Sequence, residues 1–310
     1  MASLLPRDPT TSVFVGTLLV LIVVAWVFGY AWAWLYNWLA RVTRPSERRA
    51  LVERQMKAAM HRLNIVVYTV LLALSGAVAL EGNSSRFRTV ASGIEHATFQ
   101  VQSGDAEPFS GHAFKVDLDV AKLRLVPAGG PSSRRPVEEI VAAYPAVVAI
   151  NASFFDQEGR AMGLAVDEGQ LLTSGKRRSW GALVVNDNKA RIVLGADIQD
   201  HRVHRLIVQG IPRLVVGGKV QQLKPQTAER TAVCAEGSVV ILVVSTKAEA
   251  TPFARFLADP PDKGGLGCRD VLNLDGGPST QLVVKLPSLA LSFPGGWGVP
   301  NALVVAPGRK

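Results

Sequence analysis

The sequence predicts an α+β fold: a β-rich, mixed-sheet domain with few helices, preceded by N-terminal membrane segments. Three observations lead there. Uncharged apolar stretches occupy much of the first 80 residues. Beyond them, many short runs of alternating or continuous apolar residues are separated by Gly and Pro, the pattern of strands. Only two segments carry helix signals, and strands do not alternate regularly with helices, which excludes a doubly wound sheet.

Taken in order, residues 1–80 form the membrane region. Val13 to Trp38 contains no charge and exceeds the roughly 20 residues a helix needs to cross a bilayer. Trp32, Trp34, Tyr36 and Trp38 cluster at its end, as amphipathic rings do at the headgroup level. Residues 41–62 carry seven Lys/Arg against Glu47 and Glu53, the bias of a short cytoplasmic loop. Residues 63–80 admit two readings: a second membrane helix, or a signal-like segment ending in Ala77-Val78-Ala79. Either reading puts residues 81–310 on the periplasmic or extracellular side, and the chain is expected to be anchored to a membrane through its N-terminal segments.

Residues 81–111 read as a linker and an edge strand, His96 to Gln102, and residues 112–310 as the main domain. Residues 81–310 hold 26 Lys/Arg against 22 Asp/Glu, too mild an excess to suggest nucleic acid, though compatible with an anionic substrate. Phe114 to Val120 alternates strictly and Lys122 to Val126 continues the pattern. Pro136 to Tyr144 suits a short helix, with Pro and two Glu in its first turn. Ala146 to Ile150 is a buried strand ending at Asn151. Further strands are expected at 163–166, 182–185, 191–194, 205–208, 214–216, 232–234, 239–244, 271–274, 281–286 and 302–305. Thr251-Pro252 opens a helix running to Ala258. Cys234 and Cys268 are free to pair in an oxidising compartment, or to pack as two buried thiols.

The densest chemistry lies at Asn273-Leu274-Asp275-Gly276-Gly277-Pro278-Ser279-Thr280. A carboxylate and two glycines at the end of a strand let a ligand approach the main chain, whose amides can cradle an anion. A second strand end, Asn151-Ala152-Ser153-Phe154-Phe155-Asp156, repeats the theme of an Asn followed by a carboxylate. Its aromatic pair suits a pocket wall or the core. Arg230-Thr231 opens another strand, and Arg can grip phosphate with two prongs. His201 and His204 lack companion ligands, and neither a zinc motif nor a phosphate-binding loop occurs. No metal and no cofactor is expected.

Together these segments resemble the phosphodiester glycosidase family. The resemblance rests on Asn151…Phe154-Phe155-Asp156, Gly163-Leu164, Gln209-Gly210…Pro212-Arg213-Leu214, Arg230-Thr231-Ala232-Val233, the 273–280 motif and Val299-Pro300-Asn301-Ala302-Leu303. These occur in the family's order across about residues 112 to 306. The chain departs from the family at Ala152-Ser153, often Gly-Gly there, and at Cys234, usually Gly. The resemblance implies hydrolysis of the glycosidic bond of a sugar-1-phosphodiester, with a phosphosugar or glycan as substrate. In that chemistry a carboxylate must stabilise an oxocarbenium-like carbon or activate water, the role expected of Asp275. Asp156 is the expected second carboxylate, and Asn151 the residue that orients sugar or water. Arg230 with the Gly276 and Gly277 amides is expected to hold phosphate. Ser279 would support the turn or the phosphate, with Asn273 and Phe155 also lining the substrate site. Two other readings share the residues: a non-catalytic envelope protein that binds phosphosugars, and a phosphodiesterase holding a divalent metal between Asp156 and Asp275.

Overall fold

The computed structural model describes residues 87–103 and 106–307, together with Trp38, Arg41 and Arg54. Apart from those three positions, the expected membrane segments at 13–38 and 63–80 and the basic loop at 41–62 lie outside the described residues. Among the described residues, no helix is long and apolar enough to cross a membrane.

Three sheets make up the domain. The largest has eight strands in the order β1 (Arg88–Ala91), β2 (Ile94–Ser103), β3 (Ala106–Asp117), β14 (Val239–Glu249), β13 (Thr227–Glu236), β15 (Val271–Asn273), β11 (Arg213–Val216) and β12 (Lys219–Val220). A second runs β7 (Gln170–Gly175), β6 (Gly163–Asp167), β10 (Leu206–Gly210), β8 (Gly181–Asn186) and β9 (Lys189–Leu194). The third runs β17 (Leu289–Phe293), β16 (Leu282–Leu286), β5 (Val148–Asn151), β18 (Asn301–Pro307) and β4 (Ala121–Pro127). The edge position expected of residues 96–102 belongs instead to β1, which folds back on β2 through a two-residue turn.

The mixed sheets expected from the sequence are antiparallel at every described pairing. Topology gives the reason. Parallel neighbours need crossovers of a dozen or more residues, usually helical. Among residues 87–307 as described, the two α-helices, α1 (Val137–Ile140) and α2 (Ala250–Ala258), have only four and nine residues. α1 stops well short of Tyr144; its Val137 amide donates to Gln281 Oε1 at 2.8 Å. α2 starts at Ala250, so Thr251 and Pro252 sit inside its first turn rather than at its cap.

Alternation along the strands divides the core. Phe114, Leu125, Ile150, Val208, Val233 and Leu272 belong to one cluster drawn from all three sheets. Ala232, Cys234, Phe253 and Leu257 belong to another, where the outer face of the large sheet meets α2. Cys234 and Cys268 form a disulfide there. Their loop of 34 residues gives a chain-entropy contribution of about 3–4 kcal/mol. Cys234→Ala with Cys268→Ala is therefore expected to lower the melting temperature by roughly 10 °C, measurable by calorimetry. A reduction-insensitive midpoint in the wild type would contradict this.

Candidate active site

The 273–280 motif is the bridge between two sheets. β15 lies in the large sheet, β16 in the third, and residues 274–281 cross between them. Each step of the crossing is tied down. The Leu274 amide donates to Thr231 O at 2.9 Å, and the Asp275 amide to Ala152 O at 3.1 Å. The Asn151 carboxamide fastens both sides. Its Nδ2 donates to Asp275 O at 2.7 Å, while its Oδ1 accepts from Thr231 Oγ1 at 2.7 Å and from the Gln281 amide at 3.0 Å. Asn151 is fully buried. The two strand ends picked out in the sequence therefore meet, and Asn151 holds the backbone that presents Asp275.

Glycine serves this crossing at two positions. A Cβ on Gly210 would lie 2.3 Å from Asn273 O, so only glycine lets β10 pass this close. Gly277 has φ +59°, with open space beside it, and lies in the left-handed region that favours glycine. The Gly276 amide, expected to face phosphate, donates instead to Asp275 Oδ1 at 3.0 Å.

The Asp275 carboxyl stands out electrostatically. Burial pushes its pKa up to about 6, while the Ser279 hydroxyl and the Gly276 amide partly oppose the rise. Asp167 offers a contrast. That buried carboxylate takes Arg124 Nη2 at 2.7 Å and the Leu125 amide at 2.9 Å, the ordinary solution for an internal charge. Asp275 has no such cation among the described residues. Two further polar atoms of the same motif are buried: Asn273 Oδ1 has no hydrogen-bond partner among the described residues, and Ser279 Oγ has none there other than the Asp275 carboxyl. A carboxyl raised by burial, without a cation beside it among the described residues, is the kind of group that functional sites hold.

The remaining expected site residues have partners of their own. Asp156 accepts from Arg160 Nε at 2.8 Å and from the Arg160 amide at 2.9 Å. The Arg160 side chain, first among the causes, holds its carboxyl below the usual range. These contacts close its own loop. Arg230 shares the strand parity of Ala232 and Cys234, facing α2, whereas Thr231 shares that of Val233. Its guanidinium donates to Ala248 O at 3.1 Å and to Gln226 O. Burial, the largest influence, pushes its pKa down. The phosphate-gripping role expected of Arg230 thus conflicts with its orientation. Phe155 packs against Trp297, with ring centroids 6.5 Å apart.

Residues to which the sequence assigned no role in the site do much of the positioning. Thr231 and Gln281 bind Asn151 as described. Gln209 is fully buried; its Oε1 accepts from the Leu164 and Arg177 amides, each at 2.8 Å, and its Nε2 donates to Arg177 O at 2.7 Å. Parity was an available signal for Thr231: it is the polar residue in step with the apolar Val233 and Ala235.

A model of the phosphodiester glycosidase family matches residues 144–306. The chain belongs to the phosphodiester glycosidase family. The match takes in both strand ends and the bridge between them. Among solved structures, the catalytic domain of zebrafish N-acetylglucosamine-1-phosphodiester alpha-N-acetylglucosaminidase, auto-inhibited by its pro-peptide, is similar with a TM-score of 0.58 at 19% identity, over 73% of this chain and 87% of that one. A hypothetical protein from Synechocystis is similar with a TM-score of 0.56 at 17% identity, over 71% of this chain and 63% of that one. At these identities the likeness is one of fold. No curated protein matches.

Both departures from the phosphodiester glycosidase pattern have structural uses. The Ser153 amide donates to Asn301 Oδ1 at 2.9 Å and Ser153 Oγ accepts from Asn301 Nδ2 at 3.0 Å, which ties the first motif to the closing one. Cys234 points to the α2 core, on the opposite face from Thr231.

Proposed function

We propose that this domain hydrolyses the glycosidic bond of a sugar-1-phosphodiester on an envelope or exoplasmic glycan, with Asp275 as the catalytic carboxylate. One observation carries the reading: a carboxyl with a pKa near 6 and no cation partner among the described residues, presented by the clamped bridge on the family's matched segment.

The chemistry needs little more. Water attacks the anomeric carbon, the C1–O bond breaks, and its electron pair leaves with the phosphate monoester. A phosphate oxygen is already a good leaving group, so no strong acid is required opposite the base. This suits a site with one free carboxylate, Asp156 being engaged by Arg160. Asp275 either takes the proton from the water or stabilises the oxocarbenium-like carbon, and both roles require the ionised form. The Ser279 hydroxyl supports the Asp275 carboxyl. Asn151 positions Asp275 rather than the sugar. The disulfide supports an oxidising, non-cytoplasmic setting, in keeping with a membrane anchor in the first 80 residues.

The pH profile tests the role. For full-length protein acting on a soluble sugar-1-phosphodiester, kcat/KM should rise about tenfold per pH unit below pH 6 and level off above it. Activity falling above pH 6 would make Asp275 an acid instead. Binding without turnover at any pH would favour the phosphosugar-binding reading. Loss of activity on chelation, with sugar phosphate as product, would favour the metal phosphodiesterase.

A further inference from the structure

The strand that delivers Asp275 is short and leaves a loop rich in Gly and Pro. β15 has three residues, and the stretch before it, Asp259 to Asp270, holds two prolines and three glycines. Its register on β13 is Ala232 to Asn273, Val233 to Leu272 and Cys234 to Val271. So short a ladder specifies register weakly. A slip of one residue would turn each side chain to the opposite face and carry Asp275 about 3.3 Å along the strand.

The approach to β15 is tied mostly to other elements. The Leu266 and Cys268 amides donate to Phe256 O at 3.0 Å and Leu257 O at 2.8 Å, both in α2. Arg269 O accepts from the Gly218 amide at 2.7 Å, and Asp270 Oδ1 from the Gly217 amide at 3.1 Å, at the turn between β11 and β12. Toward β13, residues 266–270 have two ties among the described residues: a long bond from the Ala235 amide to Asp270 O at 3.4 Å, and the Cys234–Cys268 disulfide. β13 is also the strand of the clamp. Thr231, three residues before Cys234, donates to Asn151 Oδ1 and accepts from the Leu274 amide. The disulfide thus joins the clamp strand covalently to the chain that leads into Asp275. It is also open to attack, because both half-cystines line a groove of about 310 Å³ beside Glu236, Leu266 and Arg269.

We propose that the Cys234–Cys268 disulfide is a redox latch on the active site. Closed, it fixes β15 against β13 so that Asp275 stands where the clamp holds it; opened by a small thiol, it releases that register and lowers activity. This rests on the function proposed above and adds its control. A thiolate attacks one sulfur, the S–S bond breaks, and the other cysteine leaves as a thiolate. A second thiol then displaces the first from the mixed disulfide. Two external thiols become one disulfide as the cystine becomes two thiols. The domain is thereby active in an oxidising compartment and silenced in a thiol-rich one.

Hydrogen exchange reads the latch without requiring turnover. Full-length protein is treated with dithiothreitol well below its melting temperature, opening of the bond is verified by thiol alkylation, and amide exchange is followed by mass spectrometry. In the oxidised protein the Leu274 and Asp275 amides are tied to Thr231 O and Ala152 O and should exchange slowly. Reduction should speed exchange across residues 271–281 at least about tenfold and leave Gly181–Asn186, buried in the second sheet, unchanged. On a sugar-1-phosphodiester, kcat should fall about tenfold with KM moving less, and oxidised glutathione should restore it. Cys234→Ala with Cys268→Ala should behave as reduced protein with or without dithiothreitol. A bond that dithiothreitol does not open, equal exchange of 271–281 in both states, exchange that rises equally at 181–186, or an unchanged kcat overturns the latch. Loosening of 271–281 alone, in a protein that hydrolyses no sugar-1-phosphodiester when oxidised, keeps the redox-set register and rejects the enzyme.

Discussion

Asp275→Asn is expected to reduce hydrolysis of a sugar-1-phosphodiester by about a thousandfold and, at the same time, to make the protein more stable at neutral pH. The two effects have one cause. A carboxyl whose folded pKa stands near 6, above its ordinary 3.8, binds its proton more tightly in the folded state than in the unfolded chain. Its favourable contribution is therefore complete below about pH 4 and is lost as the pH rises through 6. Above that, the folded protein carries a half-buried charge with no cation beside it among the described residues, at a cost of about 2–3 kcal/mol. An uncharged amide of the same shape avoids that cost. The variant should melt roughly 5–10 °C higher than wild type at pH 8, with the gain shrinking toward zero near pH 4. Calorimetry across this range checks the sign directly. A variant less stable than wild type at pH 8 would mean that the carboxylate is satisfied by an interaction other than those described.

Asn151→Ala should act in the opposite direction on stability. The side chain joins the third sheet to the large one through Thr231, Gln281 and Asp275, all at hydrogen-bond distance in a dry interior. Removing it strands the Gln281 amide and the Asp275 carbonyl and leaves Thr231 only a longer bond of 3.3 Å to Thr280 Oγ1. At about 1–3 kcal/mol for each stranded group, the loss is about 3–5 kcal/mol, or a drop of roughly 10 °C in melting temperature. Because the clamp places Asp275, kcat should fall as well, by about 10–100-fold, with KM moving less. Asn151→Asp is the informative companion. Its second carboxylate oxygen would face the Asp275 carbonyl without a hydrogen to offer, so it should rescue the Thr231 and Gln281 bonds but not activity. Full activity in Asn151→Ala would separate the clamp from the chemistry.

How much of this could be seen in the sequence depended on burial. Strands buried along nearly their whole length, such as Val148–Asn151 and Leu282–Leu286, announce themselves as apolar runs. The four strands that the sequence pattern does not reveal, β1, β7, β12 and β17, all lie at the edges of their sheets. Gln170–Gly175 is exposed along almost its whole length, so core packing imposes no alternation on it. Its pairing comes from the neighbouring backbone, which leaves no trace in side-chain pattern.

The site was legible in the same uneven way. The Asn and Asp-Gly-Gly at two strand ends, and the order of the motifs, identified the segments that converge. The identity of the working groups within them was less accessible. Arg230 looked like the phosphate ligand because of its charge, but strand parity sends it to the α2 face and puts Thr231 at the clamp. Asp156 looked like a second carboxylate, and a neighbour four residues away, Arg160, occupies it.

Hydrolysis of a sugar-1-phosphodiester by the full-length protein in ¹⁸O-labelled water tests the central claim most directly. If the ionised Asp275 carboxylate directs water to the anomeric carbon, the label appears in the released sugar and the phosphate monoester stays unlabelled. Label in the phosphate would show that the P–O bond breaks instead, and would contradict the account.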